Sequence, residues 1–259
     1  NRCSRPLGKE RKELPDLMKY KYQKLRSLHG TGTGNGSRGK IGIPFGLNMY
    51  ENLPFWFAFL THLNFEVVLS PESSRELYLK GQRTIPSDTV CYPAKLLHGH
   101  VQYLAEQGVD AIFYPCMPYN FDEGLGDNHY NCPVVAYYPE LLAANMPVLK
   151  EVKFLCPYFG LHRPRDFQEK AAAFFDQTFG IPKRETVHAA KAAYAAYDAY
   201  KQDIRATGRQ YIDFARQNGK KIIVVAGRPY HSDPEINHGI NDLITSFDFV
   251  LITEDSVAF

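Results

Sequence analysis

The chain has 259 residues, 44% of them hydrophobic, enough to bury one large core or two smaller ones. Lys and Arg number 30 against 28 Asp and Glu, and a net charge of +2 gives no electrostatic case for a nucleic-acid or anionic-membrane partner. No apolar run reaches the length of a membrane span, and the polar, basic start NRCSRPLGKERKE lacks the apolar core of a signal peptide, so a cytoplasmic location is expected.

Residues 1 to 29 read as a basic leader, in which LPDLMKYKYQKLRSLHG predicts a helix or a surface-wrapping arm. The stretch GTGTGNGSRG (30 to 39) has five glycines in ten residues. It precedes a strand pattern instead of following one and opening a helix, so it reads as a flexible linker and not as a phosphate loop.

From Lys40 onward strand and helix patterns alternate. KIGIPFGL (40 to 47) predicts a buried strand, PFWFAFLTHL a helix beginning at Pro54, and FEVVLS (65 to 70) a second strand. A helix over 73 to 80 follows, then a helix through AKLLHGHVQYLAEQG closed by Gly108, and the strand VDAIFYPC (109 to 116). A polar loop of fifteen residues leads to CPVVAYYPELL, and VKFLCPYF (152 to 159) predicts a further strand. Residues 164 to 219 are helical and rich in alanine, with Pro182 expected at N1 after Gly180. KKIIVVAGRPY (220 to 230), INDLITSF and FVLITED then predict strand, helix and strand. The fold expected is α/β, a three-layer parallel sheet of Rossmann or flavodoxin type over 40 to 163, followed by the helical segment. From 220 to 259 a second α/β unit starts, and it is expected to be truncated at Phe259, since its sheet needs more strands.

Five cysteines without a secretory signal argue against a disulfide framework. Cys91, Cys116 and Cys132 each lie beside or near proline at the end of a predicted element, and Cys116 ends a strand, where ligands of parallel sheets collect. Spacings of 25 and 16 residues exclude the compact CxxC signatures, so a shared site must be assembled by the fold. Soft thiolates suit an iron-sulfur cluster or zinc, and His98, His100 or His129 could complete a Cys3His zinc site. Spacing leaves cluster, zinc and unconnected thiols open. His98 and His100 point about 200° apart on a helix, so they cannot chelate one metal together, and packing or capping roles are expected for both. Cys156 reads as a core thiol, and Cys3 lies in the leader.

The loop GRPYHSDPEINHG (227 to 239) follows a strand directly and gathers Arg228, Tyr230, His231, Asp233, Glu235, Asn237 and His238. Such density suits binding of a phosphate, a carboxylate or a cluster-adjacent polar network, or a self-bonded loop. Asn48, Tyr50 and Glu51 follow the first strand and can line the same crevice.

KIGIPFGLNMYENLPFWFAFL, IPSDTVCYPAKLLHGH, IFYPCMPY, NCPVV and AGRPYHSDPEINHGI together resemble the DUF2229-type domain of CoA-enzyme activase proteins, relatives of the 2-hydroxyacyl-CoA dehydratase and double-cubane cluster systems. The likeness covers most of residues 40 to 259, and the leader resembles the junction that follows the ATPase modules of those proteins. The glycine-rich run departs from that junction and looks like an insertion or an added linker.

The resemblance implies an iron-sulfur electron-accepting or reductase module, fed by an ATPase activator that belongs to the same full-length polypeptide. Cys91, Cys116 and Cys132 match the family's thiols and would hold a [4Fe-4S] or double-cubane cluster in the intact protein. Tyr92, Pro93, Pro115, Pro118 and Pro133 would form part of the apolar shell. A small-molecule or acyl-CoA substrate is implied, and homodimerisation stays open. The alternatives are a zinc-stabilised or metal-free docking domain of the activase and a CoA- or nucleotide-binding domain.

Overall fold

The computed structural model describes residues 13–28, 35–122, 124 and 126–257. Cys3, the start of the leader and residues 29 to 34 of the glycine-rich stretch lie outside the described residues.

After α1 (Leu17–Ser27) the chain runs β1 (Lys40–Ile43), α2 (Met49–His62), β2 (Glu66–Leu69), α3 (Arg75–Gly81), α4 (Tyr92–Glu106), β3 (Ala111–Phe113), α5 (Pro133–Asn145) and β4 (Lys153–Leu155). Two long helices follow, α6 (Pro164–Phe179) and α7 (Lys183–Gln217), and then β5 (Lys221–Val225), α8 (Pro234–Asn237), α9 (Ile240–Ser246) and β6 (Phe249–Thr253). The first sheet is parallel in the order β2-β1-β3-β4, the arrangement of the flavodoxin-like doubly wound fold. β5 and β6 form a second, two-stranded parallel sheet.

Side-chain alternation sorts the layers. Gly42 pairs with Ile112, and a Cβ on Gly42 would stand 3.1 Å from the Leu104 side chain of α4, so that face carries α4. Phe113 points the other way, where its ring lies 5.1 Å from Trp56 of α2 and 6.3 Å from Phe175 of α6. Phe55, Phe59, Phe159 and Phe167 extend that aromatic layer, mostly through edge-to-face pairs. On the opposite side α3 crosses α4 at two glycines. A Cβ on Gly99 would stand 1.9 Å from the Leu77 carbonyl oxygen, and one on Gly81 would stand 2.2 Å from the Gly99 nitrogen.

Several boundaries differ from the sequence expectation. β1 stops at Ile43 because Pro44 has no N–H for the ladder. α2 begins five residues before Pro54, at Met49, and the proline sits inside it, giving up one helical hydrogen bond. Pro182 is the N-cap of α7 and not its first helical residue. α1 belongs to the core instead of wrapping the surface: Leu17, Met18, Tyr22 and Leu25 are buried, and Leu251 of β6 donates its N–H to the Pro15 carbonyl at 3.0 Å.

Candidate functional site

Two of the singled-out cysteines are helix N-caps, Cys91 on α4 and Cys132 on α5, each with a proline in the first two helical positions. Pro133 at the first position of α5 needs no N–H there and holds the preceding Cys132 extended, at φ −60°, ψ 153°; in α4 the proline is the second helical residue, after Tyr92, and Cys91 is extended as an N-cap, at φ −61°, ψ 148°. Cys132 Sγ accepts the Val135 N–H at 3.5 Å. A helix N-terminus carries partial positive charge. Both cysteines are exposed, as ligand positions at a crevice mouth must be.

Cys116 is buried beyond the end of β3. Its N–H donates to the Pro157 carbonyl at 2.9 Å and its carbonyl accepts from Phe159 N–H at 3.0 Å, so the ladder with the β4 segment resumes past Pro115. Burial pushes the Cys116 thiol up to about 12, and the charges of Cys156 and Glu140 add to the rise. Glu140 is held by Tyr158, whose hydroxyl donates to Oε1 at 2.5 Å.

Tyr114 joins the three positions. Its phenol is raised well above the usual tyrosine range, first by burial and then by the charges of Cys116, Tyr138, Cys132 and Cys91. The Tyr114 hydroxyl donates to Asn48 Oδ1 at 3.3 Å. Tyr138 is likewise raised by burial and by Cys91.

The polar loop arrives at the same crevice. Tyr230 is raised by burial and by the charges of Cys91 and Cys132, and Tyr92, next to Cys91, is hydrogen-bonded to Glu235. Asp233 is the buried anchor of the loop. It accepts from Tyr50 Oη at 2.6 Å, from Ser73 Oγ and from Glu235 N–H at 2.9 Å. Burial still raises its pKa, against the lowering by those donors. The rest of the loop is bonded to itself: His231 Nδ1 accepts the Arg228 N–H at 3.1 Å, and Asn237 Oδ1 accepts the Gly239 N–H at 2.8 Å. His238 caps α8 in the left-handed region, at φ 52°. Glu51 receives the Asn120 amide at 3.2 Å.

The histidines stand apart from the thiols. Ser73 gives its hydroxyl hydrogen to Asp233, so it must accept from His100 Nε2 at 3.1 Å, which leaves Nδ1 to accept from Ser70 Oγ at 2.7 Å. Thr84 gives its hydrogen to the Gly81 carbonyl, so His98 donates from Nδ1 at 2.8 Å and accepts from Tyr138 through Nε2 at 3.0 Å. Burial lowers His98 to about 4 and His100 to about 3, and both are neutral. With both ring nitrogens taken, neither can complete a Cys3His site, while His129 faces Asp122 at 3.4 Å. Among the described residues no group of three or more His, Cys, Asp or Glu is gathered to hold a metal ion. Thiols as such suit an iron-sulfur cluster or zinc alike.

Sequence reasoning passed over Tyr114, Tyr138, Glu140 and Tyr158, which carry no signal outside the fold. It also set Cys156 aside, although Cys156-Pro157 repeats the Cys-Pro pattern of Cys132-Pro133.

Residues 40–257 match the family model described as the CoA enzyme activase uncharacterised domain, well over half of the chain. No curated protein and no solved structure matches it. Among the described residues no helix is long and apolar enough to cross a membrane.

Proposed function

The chain belongs to the CoA enzyme activase domain family, and on that premise we propose that it is the iron-sulfur electron-accepting module of an ATP-driven activase. The placement of Cys116 beyond the carboxyl end of β3, with Cys91 and Cys132 at the N-caps of α4 and α5, supports this reading. When bound, a [4Fe-4S] or double-cubane cluster supplies one-electron chemistry at low potential.

The chain's own residues would do the rest. Cys91 and Cys132 present thiolates from helix N-termini, whose free N–H groups offset negative charge. Cys116 would supply a ligand from the buried side, and its raised pKa means that a metal must displace a tightly held proton there. Tyr114, Tyr138 and the prolines keep water from the buried side. The loop of Arg228, Tyr230, His231, Glu235, Asn237 and His238 is tied to the Cys91-capped helix through Tyr92 and Glu235, and its exposed Arg228 would suit an anionic group such as a phosphate. An ATPase activator is the partner that the family suggests as the electron source.

Anaerobic reconstitution with iron and sulfide tests the proposal. A brown protein with about four irons per chain is expected. A colourless, iron-free protein, or one that takes up stoichiometric zinc instead and ignores oxygen, overturns it.

A further inference from the structure

α2 carries a polar stripe into the core. Asn48, Asn52 and Trp56 follow one another at four-residue intervals, so they lie on one side of the helix and its cap, the side that meets the ends of β3 and β4. Asn48 is engaged there. Its amide nitrogen donates to Met117 Sδ at 3.3 Å, and its oxygen accepts from Tyr114 Oη at 3.3 Å. One and two turns further on, Asn52 Nδ2 and Trp56 Nε1 are buried donors with no acceptor among the described residues, in side chains of residues that are 2% and 0% exposed. Folding takes such groups out of water, so a buried donor is seldom left unpaired.

The surroundings narrow what can accept from both. The indole lies 5.1 Å from the Phe113 ring and 5.9 Å from that of Phe159, centre to centre, with Phe55, Phe59 and Phe167 around it. An anion among these phenyl rings would lose far more solvation than two hydrogen bonds return. A neutral oxygen fits. Two N–H···O bonds of about 2.9 Å to one atom hold their donors about 5 Å apart, close to the spacing of about 5–6 Å between side chains at i and i+4.

We propose that Asn52 Nδ2 and Trp56 Nε1 donate to one internal water molecule, bound between α2 and the strand ends that carry Cys116 and Phe159. Two donors supply the polar partners that a buried water requires, and the water becomes part of the packing that fixes α2 on the sheet. The site does not depend on what the thiols bind.

Trp56 is the only tryptophan in the chain, so its indole N–H gives a single resolved signal in nuclear magnetic resonance. Water-selective NOE and ROE spectra of the full chain should show that proton in contact with water, the two effects having opposite sign, as for a water that stays longer than the molecule takes to tumble. Asn52→Leu keeps the volume and removes the amide. In the variant the indole signal should move upfield and lose its water contact, and circular dichroism checks that it folds. Should it not fold, the wild-type Asn52 amide protons must show the same kind of water contact, and their lack of one overturns the proposal. A wild-type indole proton without water contact does so with no variant. An indole signal and water contact unchanged in folded Asn52→Leu give the two donors separate partners and overturn the shared site. An indole that shifts in the variant but never contacts water reports a direct bond to the oxygen of a turned-over Asn52 amide, which excludes the water.

Discussion

Tyr92 donates its phenolic hydrogen to Glu235 Oε1 at 2.8 Å, joining two residues 143 positions apart in the sequence. The bond fastens the first turn of the Cys91-capped helix to the polar loop after β5. Burial raises the Tyr92 phenol, and the Glu235 carboxylate raises it further, so the tyrosine stays a donor through the physiological range. Tyr92→Phe removes one hydrogen bond to a charged, partly exposed partner. A loss of about 1 kcal/mol in urea unfolding is expected, with faster proteolysis within the loop. An unchanged loop would mean that Asp233 alone holds it.

Asp233 gives a pH dependence of unusual sign. Its folded pKa is raised above 3.8, chiefly by burial, so the folded state holds the proton more tightly than the unfolded state. Stability from this group is fully present below the unfolded pKa and is lost as pH rises through the folded pKa. Asp233→Asn should therefore flatten the stability-pH curve just above pH 4, relative to wild type. The comparison of urea midpoints at several pH values checks it; a steeper fall in the variant contradicts it.

The buried histidines act in the opposite direction. His98 is lowered to about 4 and His100 to about 3, so stability is fully present above the ordinary histidine value and is lost as pH falls towards those numbers. The His100 imidazole proton resonances should not titrate between pH 8 and about 5. His100→Gln should unfold less steeply with acid than wild type, even if less stable at neutral pH. Titration of His100 near its ordinary value would contradict the Ser70–His100–Ser73 chain.

Gly99 is the tightest steric constraint on the helix that presents Cys91. With a Cβ placed 1.9 Å from the Leu77 carbonyl oxygen, Gly99→Ala must push α3 and α4 apart. A loss of about 3 kcal/mol or more is expected in chemical unfolding, beyond the ~1 kcal/mol gain in helix propensity. Ala at Gly108, which has open space but φ 67°, should cost only the left-handed strain, about 1 kcal/mol.

Much of this was legible before the fold was seen. Alternating patterns predicted all six strands in order, because each is a short apolar run bounded by proline, glycine or polar residues. Proline one or two residues after a cysteine marks the start of a helix for local reasons, so Cys132 and Cys91 stood out. The HGH motif drew attention to its histidines, whereas the mid-helix glycine carries the stronger structural demand. Cys156 was set aside because its neighbours depend on the offset between β3 and β4, which no local pattern records. Tyr114 reads as one more core aromatic until the fold gives its hydroxyl a partner in Asn48. The Asp233 network escaped notice for the same reason: Tyr50, Ser73 and Asp233 meet only in the folded chain.

The central claim is that Cys91, Cys116 and Cys132 hold one cluster together. Iron-edge X-ray absorption of the anaerobically reconstituted chain reads that directly. The account predicts a first shell of sulfur with iron-iron scattering, both lost in a Cys91→Ser, Cys116→Ser, Cys132→Ser triple variant. A first shell of nitrogen and oxygen, isolated iron without an iron neighbour, or a signal unchanged in the triple variant would contradict it.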